Sequence, residues 1–334
     1  MKTILVTGGA GFIGSNFVKY MLKKHDYHII NLDKLTYAGN LDNLSDIESD
    51  PRHEFVRGDI CDRELVSELM RRADAVLNFA AETHVDRSIL DAGDFVTTDV
   101  YGTYNLLETA RIIGIDRFIQ ISTDEVYGDC CDEPSEEDSP LMPRSPYAAS
   151  KTGGDRVAFS YWATYGVPVI ITRCTNNLGP YQYPEKLIPL FVTNAIDDKP
   201  LPVYGTGKNT RDWIYVDDHC EAIDVILHSE GQEGEVFNVG ASSEHPVMEI
   251  ADIILKTLNK PDSLINFVED RLGHVRRHAV NVDKIKNILG WEAKYSFHEA
   301  VEKTIRWYVE NEAWWRKIKE KQREYIEFMK KYYK

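Results

Sequence analysis

The chain has 334 residues, of which 43% are hydrophobic and 28% charged, and this composition excludes the disordered and fibrous classes of protein. Its 54 acidic and 39 basic residues leave a net charge of −15, so neither nucleic acid nor a membrane is an expected partner. Apolar stretches such as 167–172 are far shorter than the roughly 20 residues of a membrane-spanning helix. Free thiols in a reducing cytoplasm, and no bound metal, are expected from the spacing of Cys61, Cys130, Cys131, Cys174 and Cys220.

Short apolar strands alternate with helical stretches along the first half of the chain. Strands are predicted at 2–7, 28–33, 54–57, 75–79, 117–122 and 167–173. Helices are predicted between most of them, at 15–24, 63–72, 95–114 and 150–165. This alternation is typical of βαβ units, so we predict an α/β fold with a Rossmann-type, doubly wound parallel sheet. Since the first strand runs directly into a glycine-rich loop, we expect no cleavable signal peptide.

The pattern changes after about residue 176, where prolines separate shorter apolar segments. We therefore predict a cofactor-binding domain over 1–175 and a smaller, discontinuous α/β domain for substrate over most of 176–334. A segment near 212–240 is expected to return to the first domain. The C-terminal part from Phe297 to Tyr333 is predicted to be helical.

A glycine-rich loop follows the first strand and opens a helix. Gly8 permits a tight turn, Gly11 lets the backbone approach a pyrophosphate, and Gly14 allows close helix–strand packing. Asp33 ends the second strand, where its carboxylate can accept hydrogen bonds from ribose hydroxyls and would repel a 2′-phosphate. The sequence therefore predicts NAD rather than NADP as the cofactor, the alternative being that Asp33 only caps a loop.

A tyrosine and a lysine, Tyr147 and Lys151, are spaced to share one face of a helix. A nearby ammonium group favours a phenolate, so we expect Tyr147 to act as a base. Thr123 ends the fifth strand and is followed at once by Asp124 and Glu125. Elimination of water needs a base for a carbon-bound proton and an acid for the departing oxygen, which this carboxylate pair can supply. The alternative is a solvated acidic turn.

Several segments carry a resemblance to nucleotide-sugar 4,6-dehydratases of the extended short-chain dehydrogenase/reductase family. The glycine spacing is Gly-x-x-Gly-x-x-Gly, and the motif Ser122 to Gly128 is similar to the Thr-Asp-Glu signature of these enzymes. Further similarity lies in the segments 80–89, 176–181, 184–189, 202–205, 211–213 and 270–277.

The resemblance implies a role for each residue of the predicted catalytic set. Tyr147 would deprotonate the 4-hydroxyl of a hexose, steadied by Thr123, while hydride passes to NAD. Glu125 would then remove the proton on carbon 5, Asp124 would protonate the leaving 6-hydroxyl, and the hydride would return to carbon 6. NAD would thus act as a retained cofactor, with Lys151 holding its ribose.

The resemblance and the strand ends together supply the expected binding residues. The cofactor contacts are expected to be Gly8, Gly11, Phe12, Ile13, Gly14, Asp33, Asp59, Ile60, Ala80, Ala81, Thr98, Tyr147, Lys151 and Asn177. The substrate contacts are expected to be Thr83, Asn176, Lys186, Leu187, Pro202, Tyr204, Arg211, Asn238, Arg271 and His274. Lys and Arg residues suit a diphosphate, although surface ion pairing is the alternative for Lys186 and Arg211.

The exact substrate stays open at this point, with dTDP-glucose expected first and UDP-N-acetylglucosamine as the alternative. Leu272, Val275 and His278 stand where the family usually has Pro, Asp and Tyr, and Asp99 stands where it usually has Asn. A nucleotide-sugar 4-epimerase or decarboxylase is a less favoured alternative, because neither reaction needs the Asp124–Glu125 pair. A non-enzymatic NAD-binding protein is disfavoured by the intact Tyr147 and Lys151. By analogy, the helices at 95–114 and 150–165 are expected to form a homodimer interface.

Overall fold

A seven-stranded parallel sheet forms the centre of the computed structural model, which describes residues 2–130 and 132–332. Within those residues, the strands are β1 (Thr3–Thr7), β2 (His28–Asp33), β3 (His53–Arg57), β4 (Ala75–Asn78), β5 (Arg117–Thr123), β6 (Val169–Cys174), β7 (Asn176–Leu178), β8 (Leu201–Tyr204), β9 (Thr210–Tyr215), β10 (Val236–Val239), β11 (Glu244–Pro246), β12 (Ile265–Val268) and β13 (Arg277–His278). The central sheet has the order β10-β6-β5-β4-β1-β2-β3, and all its neighbouring strands are parallel.

Helices cover both faces of this sheet. The α-helices are α1 (Phe12–Lys24), α2 (Arg63–Met70), α3 (Val85–Leu90), α4 (Gly93–Phe95), α5 (Thr103–Ile113), α6 (Pro146–Tyr165), α7 (Leu187–Ile196), α8 (Val216–His228), α9 (Val247–Thr257), α10 (Asp283–Leu289), α11 (Phe297–Glu310), α12 (Glu312–Lys321) and α13 (Arg323–Tyr332). The segment Val96–Gly102 is a π-helix that joins α4 to α5, and 3₁₀ helices lie at Leu41–Leu44, Asp124–Tyr127 and Asp262–Leu264.

Both faces of the central sheet are buried under helices, and successive residues of each strand point to opposite faces. Ile4 and Val6 of β1 join the core under α1 and α8, whereas Leu5 between them joins the core under α2, α5 and α6. The predicted Rossmann-type, doubly wound fold is therefore confirmed. One boundary differs, because α1 begins at Phe12 rather than at residue 15: Gly11 takes the extended cap position directly before it.

The rest of the chain builds a second apolar core beside this sheet. Strands β11, β9, β13 and β7 form one small sheet, and β8 pairs with β12 in another. Buried side chains of α7, α9 and α11 pack against these strands. The predicted C-terminal helical part is broken at Asn311 and Gln322 into α11, α12 and α13, and Tyr333 lies outside the described residues. Among the helices described, none combines the length and apolarity that crossing a membrane requires.

Candidate active site

A cavity of about 300 Å³ opens at the carboxyl ends of β1, β2, β4, β5 and β6. Ligands of doubly wound sheets bind at this edge, because the loops after neighbouring parallel strands meet there. The lining includes every predicted catalytic and cofactor residue and three predicted substrate residues, Thr83, Asn176 and Lys186. Residues far apart in the chain therefore share one cavity.

The glycine-rich loop at one end of the cavity leaves no space for side chains. Gly8 has φ +71°, and a Cβ atom there would lie 2.6 Å from the backbone nitrogen of Ala80. A Cβ atom at Gly14 would lie 2.3 Å from the carbonyl oxygen of Gly8. Helix α1 begins here without a side-chain cap, so its first N–H groups are available to an anion. This loop fits the pyrophosphate of a dinucleotide.

Acidic residues stand where a ribose and a base would follow the pyrophosphate. The two carboxylate oxygens of Asp33 accept hydrogen bonds from the backbone N–H groups of Ala10, at 2.9 Å, and Leu35, at 2.7 Å. Burial raises the pKa of Asp33 in spite of these donors. Asp59 forms a 2.8 Å ion pair with Lys34 across the same end of the cavity. The backbone bonds fix the Asp33 carboxylate, whose remaining lone pairs can meet ribose hydroxyls.

The hydroxyl residue and the two carboxylates are oriented by one tight turn. Thr123 caps the 3₁₀ helix Asp124–Tyr127: its Oγ1 accepts from the Glu125 N–H at 3.3 Å and donates to Asp124 Oδ1 at 3.1 Å. Asp124 is buried, and within the described chain its Oδ2 has no hydrogen-bond partner. Burial, followed by the charge of Glu125, raises the pKa of Asp124 to about 8. Asp124 therefore carries a proton at neutral pH, as a general acid requires.

Tyr147 and Lys151 lie in the first two turns of α6, which Ser145 caps. The Lys151 ammonium donates to the carbonyl of Ile121 at 2.8 Å. The expectation of a lowered Tyr147 pKa is wrong for the protein by itself: burial, then the charges of Glu125 and Asp99, raise it well above its usual value. Burial first, and then the negative charges around this phenol, outweigh the single lysine that the spacing of the motif emphasises.

Glu82, which follows the fourth strand and lines the cavity, forms an acidic pair with the buried Asp99. Asp99 accepts from the Ser150 hydroxyl at 2.6 Å and from the Glu82 N–H at 2.9 Å, which ties the loop after β4 to the catalytic helix. Burial raises the pKa of Asp99 to about 6, and burial and Asp99 raise that of Glu82 to about 7. No role in the site was predicted for Asp99. The one signal for it in the sequence was that Asp99 stands where the resembled family usually has Asn.

Lys186 faces the other end of the cavity. Its ammonium donates to the Thr83 hydroxyl at 3.1 Å, and burial lowers its pKa. The preceding residue, Glu185, is fully buried and forms an ion pair with Arg87 at 2.7 Å. Ordinary surface pairing, the alternative for Lys186, is therefore excluded. The Arg87–Glu185 pair was not predicted, although Arg87 lies in the quoted segment 80–89.

A second cluster lies beside the cavity, around Asp86 of α3. Its carboxylate accepts from the Tyr204 hydroxyl at 3.2 Å and from the Arg271 guanidinium at 3.4 Å. His274 packs edge-on against the Tyr204 ring with 6.2 Å between centroids. The buried Arg211 donates to the Val275 carbonyl at 3.0 Å, and burial and Arg271 lower its pKa to about 10. These residues, with Leu187 at the start of α7 and Pro202 in β8, are outside the cavity lining.

Asn238 is the one predicted substrate residue that the structure buries elsewhere. It lies in β10, where its Oδ1 accepts from the Tyr127 hydroxyl at 2.7 Å. Its amide group donates to the carbonyls of Ser135 and Asn281, and the residue has no exposed surface. The prediction that Asn238 contacts substrate was wrong, because these internal contacts occupy both the oxygen and the nitrogen of its side-chain amide.

The cavity and the fold define an NAD-binding enzyme of the short-chain dehydrogenase/reductase type. Residues 5–304 match the family model described as GDP-mannose 4,6 dehydratase. The chain is 52% identical to the low-salt glycan biosynthesis protein Agl12 of Haloferax volcanii, with 92% of this chain and 98% of that protein covered. It is 47% identical to a dTDP-glucose 4,6-dehydratase of Streptomyces niveus, with 95% of both chains covered.

A solved structure supports the same family assignment. DesIV, a dTDP-glucose 4,6-dehydratase from Streptomyces venezuelae crystallised with NAD and a second ligand, superimposes with a TM-score of 0.93. The two sequences are 48% identical, and the match covers 95% of this chain and 99% of that one. The chain belongs to the nucleotide-sugar 4,6-dehydratase family of extended short-chain dehydrogenases/reductases. The family predicted from the motifs is thereby confirmed.

Proposed function

We propose that the protein converts dTDP-glucose to the corresponding 4-keto-6-deoxy sugar, with NAD as a retained cofactor. The observation that carries this proposal is one cavity containing Tyr147, Thr123 and the carboxylate pair Asp124–Glu125. Epimerases and decarboxylases of this fold do not need that pair. The identity of 47% to the dTDP-glucose 4,6-dehydratase of Streptomyces niveus supports the choice of sugar nucleotide.

NAD fits the glycine-rich end of the cavity. The turn at Gly8 and the uncapped start of α1 would hold the pyrophosphate, and the carboxylate of Asp33 would hold the adenosine ribose and repel a 2′-phosphate. When bound, NAD supplies a hydride acceptor and a positive ring charge, which opposes the high pKa of Tyr147. Lys151, four residues along α6, would hold the second ribose.

Oxidation begins with proton removal at the sugar. Tyr147 takes the proton of the 4-hydroxyl, and Thr123 holds that hydroxyl by a hydrogen bond. Without substrate the Thr123 hydroxyl accepts from the Glu125 N–H and donates to Asp124, so its one proton has to turn from Asp124 to the sugar oxygen when substrate binds. Once carbon 4 is a ketone, the proton on carbon 5 becomes acidic.

Elimination then uses the two carboxylates in opposite protonation states. Glu125 removes the proton from carbon 5, and Asp124 gives its proton to the departing 6-hydroxyl, which leaves as water. The environment suits the acid in this division, because Asp124 is buried and protonated near neutral pH. The hydride that left carbon 4 returns to carbon 6, and carbon 5 takes back a proton from Glu125, whose proton exchanges with solvent. The proton that Tyr147 took from the 4-hydroxyl replaces, through solvent, the one that Asp124 gave to the leaving water, and the cycle closes.

The remaining polar residues suit the sugar diphosphate. Thr83, Asn176 and Lys186 line the cavity beyond the catalytic residues, and the cluster of Arg211, Arg271, Tyr204 and His274 lies next to it. Two guanidinium groups at this place counter the global charge of −15 for an anionic ligand.

A panel of nucleotide sugars with product mass as the readout tests the proposal. We expect dTDP-glucose to lose one water, and in deuterated water the product should carry deuterium at carbon 5. Label placed at carbon 4 should be found at carbon 6 of the same sugar. Turnover of UDP-N-acetylglucosamine alone would change the substrate assignment, and a product of unchanged mass would reassign the chain to the epimerases.

A homodimer in a reducing cytoplasm is the second part of the proposal. Val96, Tyr101 and Tyr104 are exposed along the helical segment 93–113, and Tyr165 is exposed at the end of the adjacent α6. Such an apolar strip on two packed helices is typical of a subunit interface. Four cysteines of the described chain, Cys61, Cys130, Cys174 and Cys220, are free, and Cys131 lies outside the described residues. Light scattering at micromolar concentration should give the mass of a dimer; the mass of a monomer would reject it.

A further inference from the structure

The C-terminal helix α13 contacts the substrate end of the cavity, although it lies beyond the region 5–304 matched by the family model. The family model therefore does not include this helix. One hydrogen bond and one aromatic contact connect α13 and the residue before it to the cavity wall. The hydroxyl of Tyr183, a lining residue, donates to Gln322 just before α13 at 2.7 Å, and Tyr325 packs edge-on against the same ring.

The closest connection runs through Arg87. Its guanidinium lies between two aromatic rings, 3.7 Å from the centroid of Tyr37 and 4.3 Å from that of Phe328 in α13. It donates to both carboxylate oxygens of Glu185, at 2.7 to 3.2 Å. A buried ion pair is costly unless its geometry is held and water is excluded. The rings of Tyr37 and Phe328 hold the geometry of Arg87 and cover most of its side chain, which is 19% exposed, while Glu185 is fully buried.

This ion pair stands directly behind Lys186. Glu185 precedes Lys186 in the chain, and Lys186 donates to the Thr83 hydroxyl in the cavity. The Tyr37 hydroxyl donates to the carbonyl of the same Thr83. The two substrate-facing groups, Thr83 and Lys186, are thus both attached to the stack that Phe328 closes.

A strained residue lies at the same place. His84 is buried and has φ 97°, a backbone conformation that residues other than glycine rarely adopt. Such conformations persist only where the surroundings hold them, and they are found mainly at functional sites. The ring of Phe328 packs edge-on against that of His84 with 5.4 Å between centroids. Phe328 therefore contacts both the strained residue and the ion pair.

We propose that Phe328 is a positioning residue for substrate binding, which acts on Lys186 and Thr83 through the Arg87–Glu185 ion pair. The inference rests on the proposed function, since it gives these cavity residues a nucleotide sugar to bind. The proposal predicts different effects on the binding of the two ligands. Loss of Phe328 weakens sugar-nucleotide binding and leaves NAD binding intact, because the contacts of Phe328 with Arg87 and His84 lie at the substrate end.

The test compares Phe328→Ala and Phe328→Leu with Lys330→Ala, a control on the exposed side of the same helix. For Phe328→Ala we expect KM for dTDP-glucose to rise about 3- to 30-fold, the effect of losing a desolvated cation–π contact. The kcat value and the NAD affinity should change less than about twofold, on the scale of a remote substitution. Phe328→Leu keeps the apolar cover without the ring and should give a smaller rise. Lys330→Ala should match the unmodified protein.

A double-mutant cycle decides whether the effect passes through Arg87. Arg87→Lys loses the two-pronged contact with Glu185, so adding Phe328→Ala to it should raise KM little further. Additive effects, an unchanged KM, or a parallel loss of NAD affinity would overturn the proposal. If Phe328→Ala does not fold, Phe328→Leu takes its place in the cycle.

The unmodified protein distinguishes this proposal from the proposed function. If it does not turn over dTDP-glucose, the proposed function fails, and calorimetric affinity for dTDP replaces KM as the readout for the Phe328 variants. If it does turn over dTDP-glucose while the Phe328 variants keep the normal KM, only the positioning role fails.

Discussion

The two ends of the cavity are built in different ways. Most of the cofactor end comes from one continuous unit, β1, the glycine-rich loop, α1 and β2, which the loops carrying Asp59 and Ala80 complete, and its critical contacts involve the backbone of Gly8 and Gly14. The substrate end comes from separate segments that contain Thr83, Glu125, Lys186 and, behind them, Phe328. Its critical contacts are between side chains. Residues close together in the sequence make the main contacts of the cofactor end, whereas the substrate end depends on the packing of the whole chain.

The largest effect is expected where the two ends meet, at Tyr147. Tyr147→Phe removes the first base, so formation of NADH after addition of substrate should fall by at least about 10⁴-fold, the upper range for a general base. Binding at both ends should persist, because the phenyl ring keeps its place in α6. Rapid absorbance measurement of NADH and calorimetric NAD affinity check this.

Tyr161→Phe on the same helix is the matched control, since its hydroxyl contacts Glu108 outside the cavity. Normal NADH formation in Tyr147→Phe would remove this residue from the first step.

Glu125→Gln should interrupt only the chemistry of the substrate end. Oxidation at carbon 4 should continue with Tyr147, Lys151 and Thr123 intact, while elimination slows about 10²–10⁴-fold. Bound NADH should therefore accumulate, and deuterium uptake at carbon 5 should be lost. A variant that forms product at the normal rate would show that another group removes the carbon 5 proton.

The pH dependence of kcat tests whether Asp124 is the acid. Its pKa is raised from 3.8 to about 8, so it is protonated at neutral pH and loses this proton as the pH rises through about 8. Above that value kcat should fall about tenfold per pH unit, as for loss of one essential proton. Asp124→Asn should lower kcat and abolish the alkaline decline. A decline that persists in Asp124→Asn belongs to a different group.

The smallest effect is expected at the cofactor end. Asp33→Asn should weaken NAD binding about tenfold, since hydrogen bonds to a charged group contribute about 1.5–3 kcal/mol and the amide keeps part of them. Discrimination against NADP should relax, while KM for the sugar nucleotide stays close to normal. Titration with both dinucleotides measures this, and an unchanged preference for NAD would remove Asp33 from the ribose site.

The sequence by itself determined the features that depend on local backbone geometry. The strand, the glycines at positions 8, 11 and 14, and Asp33 follow one another within a single βαβ unit, so their spacing already predicts a dinucleotide site. The four-residue spacing of Tyr147 and Lys151 and the adjacency of Asp124 and Glu125 are equally local. The fold class and the family followed from these patterns, and both are confirmed.

Only the tertiary structure decided which groups are buried together, because burial and charge arise from segments distant in sequence. It raised the pKa of Tyr147, which the neighbouring lysine alone would lower, and it raised the pKa of Asp124 so that this carboxyl is protonated at neutral pH. It enclosed Asn238 among internal partners, away from the cavity. It also brought Phe328 against Arg87, which lies far earlier in the chain, a contact that no spacing rule could predict.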